Sequence, residues 1–261
     1  MSSRSENHMR TVRDACQVQP NALSIKLSDQ IEQLDELITA EGDGRAFFDK
    51  THITHGMQDL ISEGIARLAG TSSQAIFHLK QAMGGGKTHL LVGFGLLARL
   101  PELRKTYCAG MPGASAFGSA RIAAFNGRNN PDHFFWGDVA NQLGKGDQFK
   151  AFWTGGPKAP DEKDWIKLLE GDDPVLILLD EMPPYFHYLD TQKVGGGTVA
   201  DIATRAFANL LTAAGKKKNV CVVVSDLAAA YDTGARLINR ALEDARSELG
   251  RQERSIDVPP L

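Results

Sequence analysis

The sequence predicts an α/β fold: a mostly parallel sheet held between two layers of helices, a three-layer αβα sandwich. Two observations predict it. First, PVLILLDE at 174–181 and NVCVVVSD at 219–226 are continuous apolar runs that end in acids. A strand apolar along its whole length is covered on both faces, which is the condition of a strand inside a parallel sheet. Second, these runs and two further strand candidates, QAIFHLK at 74–80 and ARIAAFNG at 120–127, alternate with segments of helical periodicity.

Residues 1 to about 20 show no periodicity and are expected to form an arm; Leu23, Leu27, Ile31, Leu34 and Ile38 then follow helical spacing. AEGDGR at 40–45 ends that helix. Met57, Leu60, Ile61, Ile65 and Leu68 predict a second helix over 56–68, and GTSS at 70–73 turns the chain into the first strand. KTHLLVGFGLLARL reads as a helix stopped by Pro101. MPGASAFGS at 111–119 is loop, and after the second strand NGRNNP leads to helices at about 134–143 and 161–171. The third strand precedes a proline- and glycine-rich loop over 182–197 and a helix over 199–214; the fourth precedes a helix over 234–249. The expected organisation is an arm and helix over 1–45, a core over 46–255 and a tail over 256–261 leading to further domains. No internal repeat is visible.

The 261 residues suffice for one large or two small domains, and 42% apolar with 23% charged residues fits a water-soluble globular chain. No run approaches the ~18 apolar residues of a membrane span, and the polar start MSSRSENHMR lacks the apolar core of a secretion signal. Cys16, Cys108 and Cys221 are odd in number and far apart, which fits neither a disulfide framework nor a zinc site. A cytoplasmic location and no membrane partner are therefore expected. A formal net charge of −3 argues against a sequence-blind nucleic-acid clamp. GKKKN at 215–219 reads as a solvated turn before a strand.

Chemistry concentrates in FHLKQAMGGGKTHLLVGFG, 77–95. Gly86, Lys87 and Thr88 fill the second half of the phosphate cradle G-x-x-x-x-G-K-[ST], placed as it must be between a strand and a helix. Glycines allow backbone N–H groups to turn inward onto phosphate oxygens, and the helix that starts near Lys87 adds the positive end of its dipole. Gln81 stands where the first glycine is usual; this weakens the pattern without removing a ligand. The expected nucleotide-binding residues are Met83, Gly84, Gly85, Gly86, Lys87, Thr88 and His89. Lys87 would meet the β- and γ-phosphates of ATP, and the Thr88 hydroxyl would hold Mg²⁺. Asp180, where the third strand emerges, is the second expected Mg²⁺ ligand, and Glu181 is placed to orient or deprotonate the attacking water.

A further buried strand after Asp180 predicts the additional-strand, AAA+-like type of P-loop NTPase, in which a fourth strand lies between the cradle strand and the acidic one. Ser225, with Asp226 beside it at the end of that fourth strand, is either a catalytic sensor of the γ-phosphate or a hydroxyl capping the next turn. His89 either approaches the phosphates and acids or packs at the sheet edge.

FFDKTHITHGMQDLISEGIARLAG, MGGGKTHLLVGF, FWGDVANQLG and LLDEMPPYF, in this order, resemble a prokaryotic family of large AAA+-type predicted ATPases, domain-of-unknown-function family 499. The resemblance rests on the Gly-Gly-Gly-Lys-Thr-His cradle, on Thr51 and Thr54 before it, and on Trp136, Gly137, Asp138 and Gln142 to Gly144; it spans most of 45–255. It implies ATP and Mg²⁺ as ligands, a first cradle glycine that is not always kept, and adenine packing on residues 52–56, where a helix cap at Thr54 is the alternative. It also implies a homo-oligomeric ring completed by a neighbour's arginine, with Arg236, Arg240, Arg246, Arg251 and Arg254 as candidates. Arg251 and Arg254 of RQER are expected on one helical face. Members are much longer and often stand beside DNA-modification or phage-defence genes, which implies nucleic-acid or protein substrates reached through other domains. A small helical lid, usual in AAA+ chains, is not recognisable before Leu261.

Phe134, Phe135 and Trp136 read as a core anchor or a base-stacking surface, and Gly195, Gly196 and Gly197 with Lys193 as a plain connection or a substrate-touching loop. The function expected is Mg-dependent ATP hydrolysis that drives conformational change. The alternative is an ATP-gated scaffold without useful turnover. A P-loop kinase would need an arginine-rich acceptor lid, and none is visible.

Overall fold

The computed structural model describes residue 34, residues 44–49, 51–80, 86–226 and 231–249, and the backbone of 253–257. The chain divides into Met1–Ile31 and Glu32–Leu261, and all described residues lie in the second unit. The expected arm, most of the helix over 23–38, Gln81, Met83, Gly84, Gly85 and Arg251 fall outside the described residues.

Helix α1 is Arg45–Phe48 and α2 is His55–Leu68. Thr54 caps α2, its hydroxyl accepting from Met57 N at 3.4 Å, and the predicted apolar stripe of α2 is buried. Strand β1, Ile76–Lys80, leads to α3, Lys87–Arg99. Pro101 does more than stop that helix: Leu100 leaves helical geometry at φ −108°, ψ 99°, and Pro101 opens a new helix, α4, Pro101–Tyr107. The ring needs no N–H partner in a first turn, so proline starts helices as readily as it ends them.

Strand β2 is Arg121–Asn126, followed by α5, Phe135–Gln142, α6, Gly146–Phe149, and α7, Glu162–Leu168, capped by the reciprocal Asp161–Asp164 box. Strand β3, Val175–Asp180, is buried at all positions. The segment expected as loop over 182–197 contains helix α8, Met182–Asp190, with Pro183 in its first turn, and a hairpin of β4, Lys193–Val194, with β5, Gly197–Thr198. Gly195 and Gly196 thus make a two-residue hairpin turn, with Gly195 at φ 56°, and Gly197 opens β5. Helix α9, Val199–Lys216, strand β6, Val220–Asp226, and helix α10, Asp232–Leu249, follow. A fifth sheet strand, β7, Glu253–Asp257, was not anticipated; it places Arg254 in a strand and not on the expected helical face.

The sheet runs β2-β3-β6-β1-β7 with every pairing parallel. β6 lies between β1 and β3, the position expected for the fourth strand. One apolar core fills the face under α5 and α7–α10; a second fills the face under α2–α4. Phe135 and Trp136 are wholly buried in the first of these, so they anchor α5. Among the described residues no helix is long and apolar enough to cross a membrane.

The register decides where chemistry is placed. Asn126 pairs with Asp180, Leu179 with Val224, and Lys80 with Asp226, so the carboxyl ends of four adjacent strands are level. In open α/β sheets that edge is where ligands bind.

Candidate active site

Three chain segments meet at this edge: the start of α3 after β1, the end of β3 and the end of β6. Gly86 precedes α3 with φ 68° and ψ 18°, left-handed geometry that glycine adopts without a Cβ penalty. This directs Lys87 and Thr88 inward at the helix N-terminus. Lys87 is 6% exposed, and Asp180 is 1% exposed.

Thr88 Oγ1 donates to Asp180 Oδ2 at 2.5 Å, joining residues 92 positions apart. The Ser225 hydroxyl donates to the other oxygen, Oδ1. Glu181 N donates to Asp180 Oδ1 at 3.0 Å and to Ser225 Oγ at 3.2 Å. Asp180 is therefore fixed on both oxygens, with Ser225 tying it to the first peptide of α8. Ser225 spends its hydroxyl on Asp180 and the Glu181 backbone, an arrangement that neither sequence expectation for it contained.

Glu181 is the sole non-glycine residue with positive φ among the described residues, at φ 53°. Such a conformation costs on the order of 1 kcal/mol and persists where surrounding contacts impose it. Gly127 permits a close approach here: a Cβ on it would lie 2.8 Å from Glu181 O and 2.5 Å from Tyr185 Cβ. The turn after β2 packs directly under Glu181. It is held by Asn126, whose Oδ1 accepts from the N–H groups of Arg128 and Asn129, both at 3.1 Å. The same turn carries Arg128 to the Glu181 carboxylate, Nη2 to Oε2 at 3.3 Å.

Electrostatics ties these groups together. Burial lowers the Lys87 ammonium below its usual range, against the carboxylates of Asp180, Glu181 and Asp226, which favour its charge. Burial raises the Glu181 carboxyl, reinforced by Asp180 and opposed by Arg128 and Lys87. A carboxylate held above its ordinary pKa is a stronger proton acceptor than an ordinary one.

The hydroxyl and carboxylate of Thr88 and Asp180 are hard oxygen donors of the kind Mg²⁺ prefers. Among the described residues no cluster of three or more His, Cys, Asp or Glu side chains is arranged to hold a metal. One hydroxyl and one carboxylate would leave most of an octahedral shell to water and substrate phosphates.

One expected nucleotide-binding residue is engaged elsewhere. The His89 ring stacks on Phe47, with centroids 4.3 Å apart, and its Nε2 lies 2.9 Å from Thr51 Oγ1. His89 thus ties α3 to the segment before α2, a packing role of the kind that was the alternative to phosphate contact. Arg128, Asn126 and His78 are the polar residues here that sequence reasoning overlooked. A histidine inside an otherwise apolar strand was a visible signal; an arginine in an asparagine-rich turn was not.

A groove of about 840 Å³, lined in part by Glu162, Asp201, Arg205, Arg240 and Asp244, shares no residue with this edge.

A family model described as the DUF499 N-terminal domain matches residues 17–105. The matched segment includes β1, Gly86, Lys87, Thr88 and α3, and stops before β2 and the acids at 180 and 181. No curated protein matches the chain, and no solved structure does.

Proposed function

We propose that the chain is a P-loop ATPase of the additional-strand, AAA+-like type, which binds ATP with Mg²⁺ and hydrolyses it to drive a conformational change. The observation that carries this reading is the contact of Thr88 with Asp180, with Lys87 beside them in the field of Asp180 and Glu181. The strand order supports it, because with β6 between β1 and β3 the start of α3 and the ends of the acidic strands lie along one edge.

Lys87 and the N–H groups at the start of α3 bind the β- and γ-phosphates. Thr88 and Asp180 hold Mg²⁺, which when bound offsets the charge that develops on the β- and γ-oxygens. Glu181, emerging beside Asp180, orients the attacking water and accepts its proton. Met83, Gly84 and Gly85 complete the cradle in this reading. The family resemblance supports a homo-oligomeric ring and a setting in phage defence or DNA processing, with nucleic acid or protein worked on through other domains.

A second reading, an ATP-gated scaffold without useful turnover, is favoured by the Arg128–Glu181 ion pair, which occupies the acid that hydrolysis needs. Arg128→Ala separates the two. Arg128 lowers the Glu181 carboxyl, so its loss frees Glu181 and makes it more basic. In the ATPase, phosphate release rises roughly two- to fivefold and the acid limb of its pH profile moves upward. In the scaffold, ATP binds to both proteins and neither releases phosphate.

A further inference from the structure

The segment around Trp136, Gly137 and Asp138 carries part of the family resemblance, and the proposed function uses none of it. Gly137 and Asp138 line a pocket of about 330 Å³ at the start of α5, together with Asp132, His133, Phe134, Asn141 and Trp153. That volume lies at the lower end of the roughly 300–1,000 Å³ typical of ligand pockets. Lys87, Thr88, Asp180 and Glu181 take no part in it.

Two of its walls are aromatic. Phe134 is half-buried and stacks on the wholly buried Trp136, with ring centroids 4.8 Å apart. Trp153, also half-buried, lies against α5 where Gly137 leaves room: a Cβ there would be 3.2 Å from Trp153 Cε3. The remaining walls are acidic. Asp138 Oδ2 lies 2.9 Å from His133 Nδ1, and Asp132 Oδ1 accepts from the Tyr188 hydroxyl. Among the described residues each carboxylate keeps its second oxygen without a hydrogen bond, and neither has a lysine or arginine partner. The walls are also fixed in advance. Tyr188 holds Asp132, and Tyr185 donates its hydroxyl to His133 O at 2.8 Å, so α8 braces the segment at 132–133. A site ordered before binding loses little entropy when a ligand enters.

The geometry points to this pocket as a binding site for a guanidinium cation, carried by an arginine of a polypeptide or by the free amino acid. Aromatic faces attract a cation that lies within about 6 Å of the ring centroid. A guanidinium is planar, stacks on such faces and brings five N–H donors to the open carboxylate oxygens. An ammonium is more strongly hydrated and presents no flat face. A nucleic-acid base could stack on the same rings, but its phosphates would approach two carboxylates, which sets aside the base-stacking role for Phe134. This site does not depend on the ATPase reading.

The test is a titration of the full chain with N-acetyl-arginine amide at constant ionic strength, followed by tryptophan emission. Trp136 and Trp165 are wholly buried, so the half-buried Trp153 is the reporter. The emission should change saturably with a Kd of roughly 0.5–5 mM, the range for a ligand of this size. N-acetyl-citrulline amide, which keeps the shape without the charge, should bind at least tenfold more weakly, and N-acetyl-lysine amide at least threefold. Asp138→Asn should weaken arginine-amide binding at least fivefold, and Trp153→Phe should abolish the emission change. Free L-arginine that binds as well as the amide assigns the site to the amino acid; at least threefold weaker binding assigns it to arginine within a polypeptide. Citrulline binding equal to that of arginine overturns the proposal. So does an emission change that persists in Trp153→Phe, or an affinity of Asp138→Asn within 1.5-fold of wild type. If thermal unfolding shows that Asp138→Asn does not fold, Asp132→Asn decides by the same limits.

Discussion

Glu181→Gln is expected to lower phosphate release at least a hundredfold while ATP with Mg²⁺ still binds, within about threefold of the wild-type Kd. General-base catalysis by one positioned group contributes about 10²–10⁴-fold, and glutamine keeps the size of the side chain without its basicity. Equal rates from the two proteins would remove Glu181 from the mechanism. The same variant has a stability signature. The folded carboxyl titrates above its ordinary value of 4.5, so the folded state favours the protonated form. That contribution is fully present below about pH 4.5 and is lost as pH rises through the folded pKa. Above that point the ionised Glu181 is a burden that glutamine does not carry. The variant should therefore melt roughly 1–2 °C higher than wild type at pH 8, with the gap closing as pH falls toward the ordinary glutamate range. A gap that is constant with pH would detach the effect from this ionisation.

Lys87→Ala is expected to weaken binding of ATP with Mg²⁺ roughly 10- to 150-fold, as for the loss of a hydrogen bond between charged groups worth about 1.5–3 kcal/mol. The ammonium is nearly buried among three carboxylates, so a triphosphate arriving without it would meet their charge uncompensated. Isothermal titration of both proteins at equal ionic strength measures this. Unchanged affinity would place the nucleotide away from α3.

The central sheet was legible because its strands are apolar along their whole length. Val175–Leu179 and Val220–Val224 admit only a two-sided burial, and the acid that closes each strand, Asp180 or Asp226, marks its carboxyl end. α8 was not legible: MPPYFHYLD carries two prolines, and their tolerance in a first helical turn depends on where the helix starts. β7 was missed because the charged residues of ERSID lack the apolar run that betrays a covered strand; only pairing with β1, distant in sequence, makes it one. At the site, Lys87, Thr88, Asp180 and Glu181 could be read from strand–loop–helix punctuation. The partners that restrain them could not. Arg128 reaches Glu181 through a turn held by Asn126, and Ser225 reaches Asp180 across a strand pairing, neither of which leaves a periodic trace. For His89 the sequence left two roles open, and the first turn of α3 directs the ring to Phe47 and Thr51.

Everything proposed depends on one triphosphate being gripped at the carboxyl edge of β1, β3 and β6. A crystal structure with Mg²⁺ and a non-hydrolysable ATP analogue tests this most directly. The prediction is Lys87 Nζ within about 3 Å of a β- or γ-phosphate oxygen, with the metal between Thr88 Oγ1, Asp180 and the phosphates. A nucleotide seated elsewhere, or phosphates beyond the reach of Lys87 with Asp180 still held by Thr88, Ser225 and the Glu181 N–H, would contradict it.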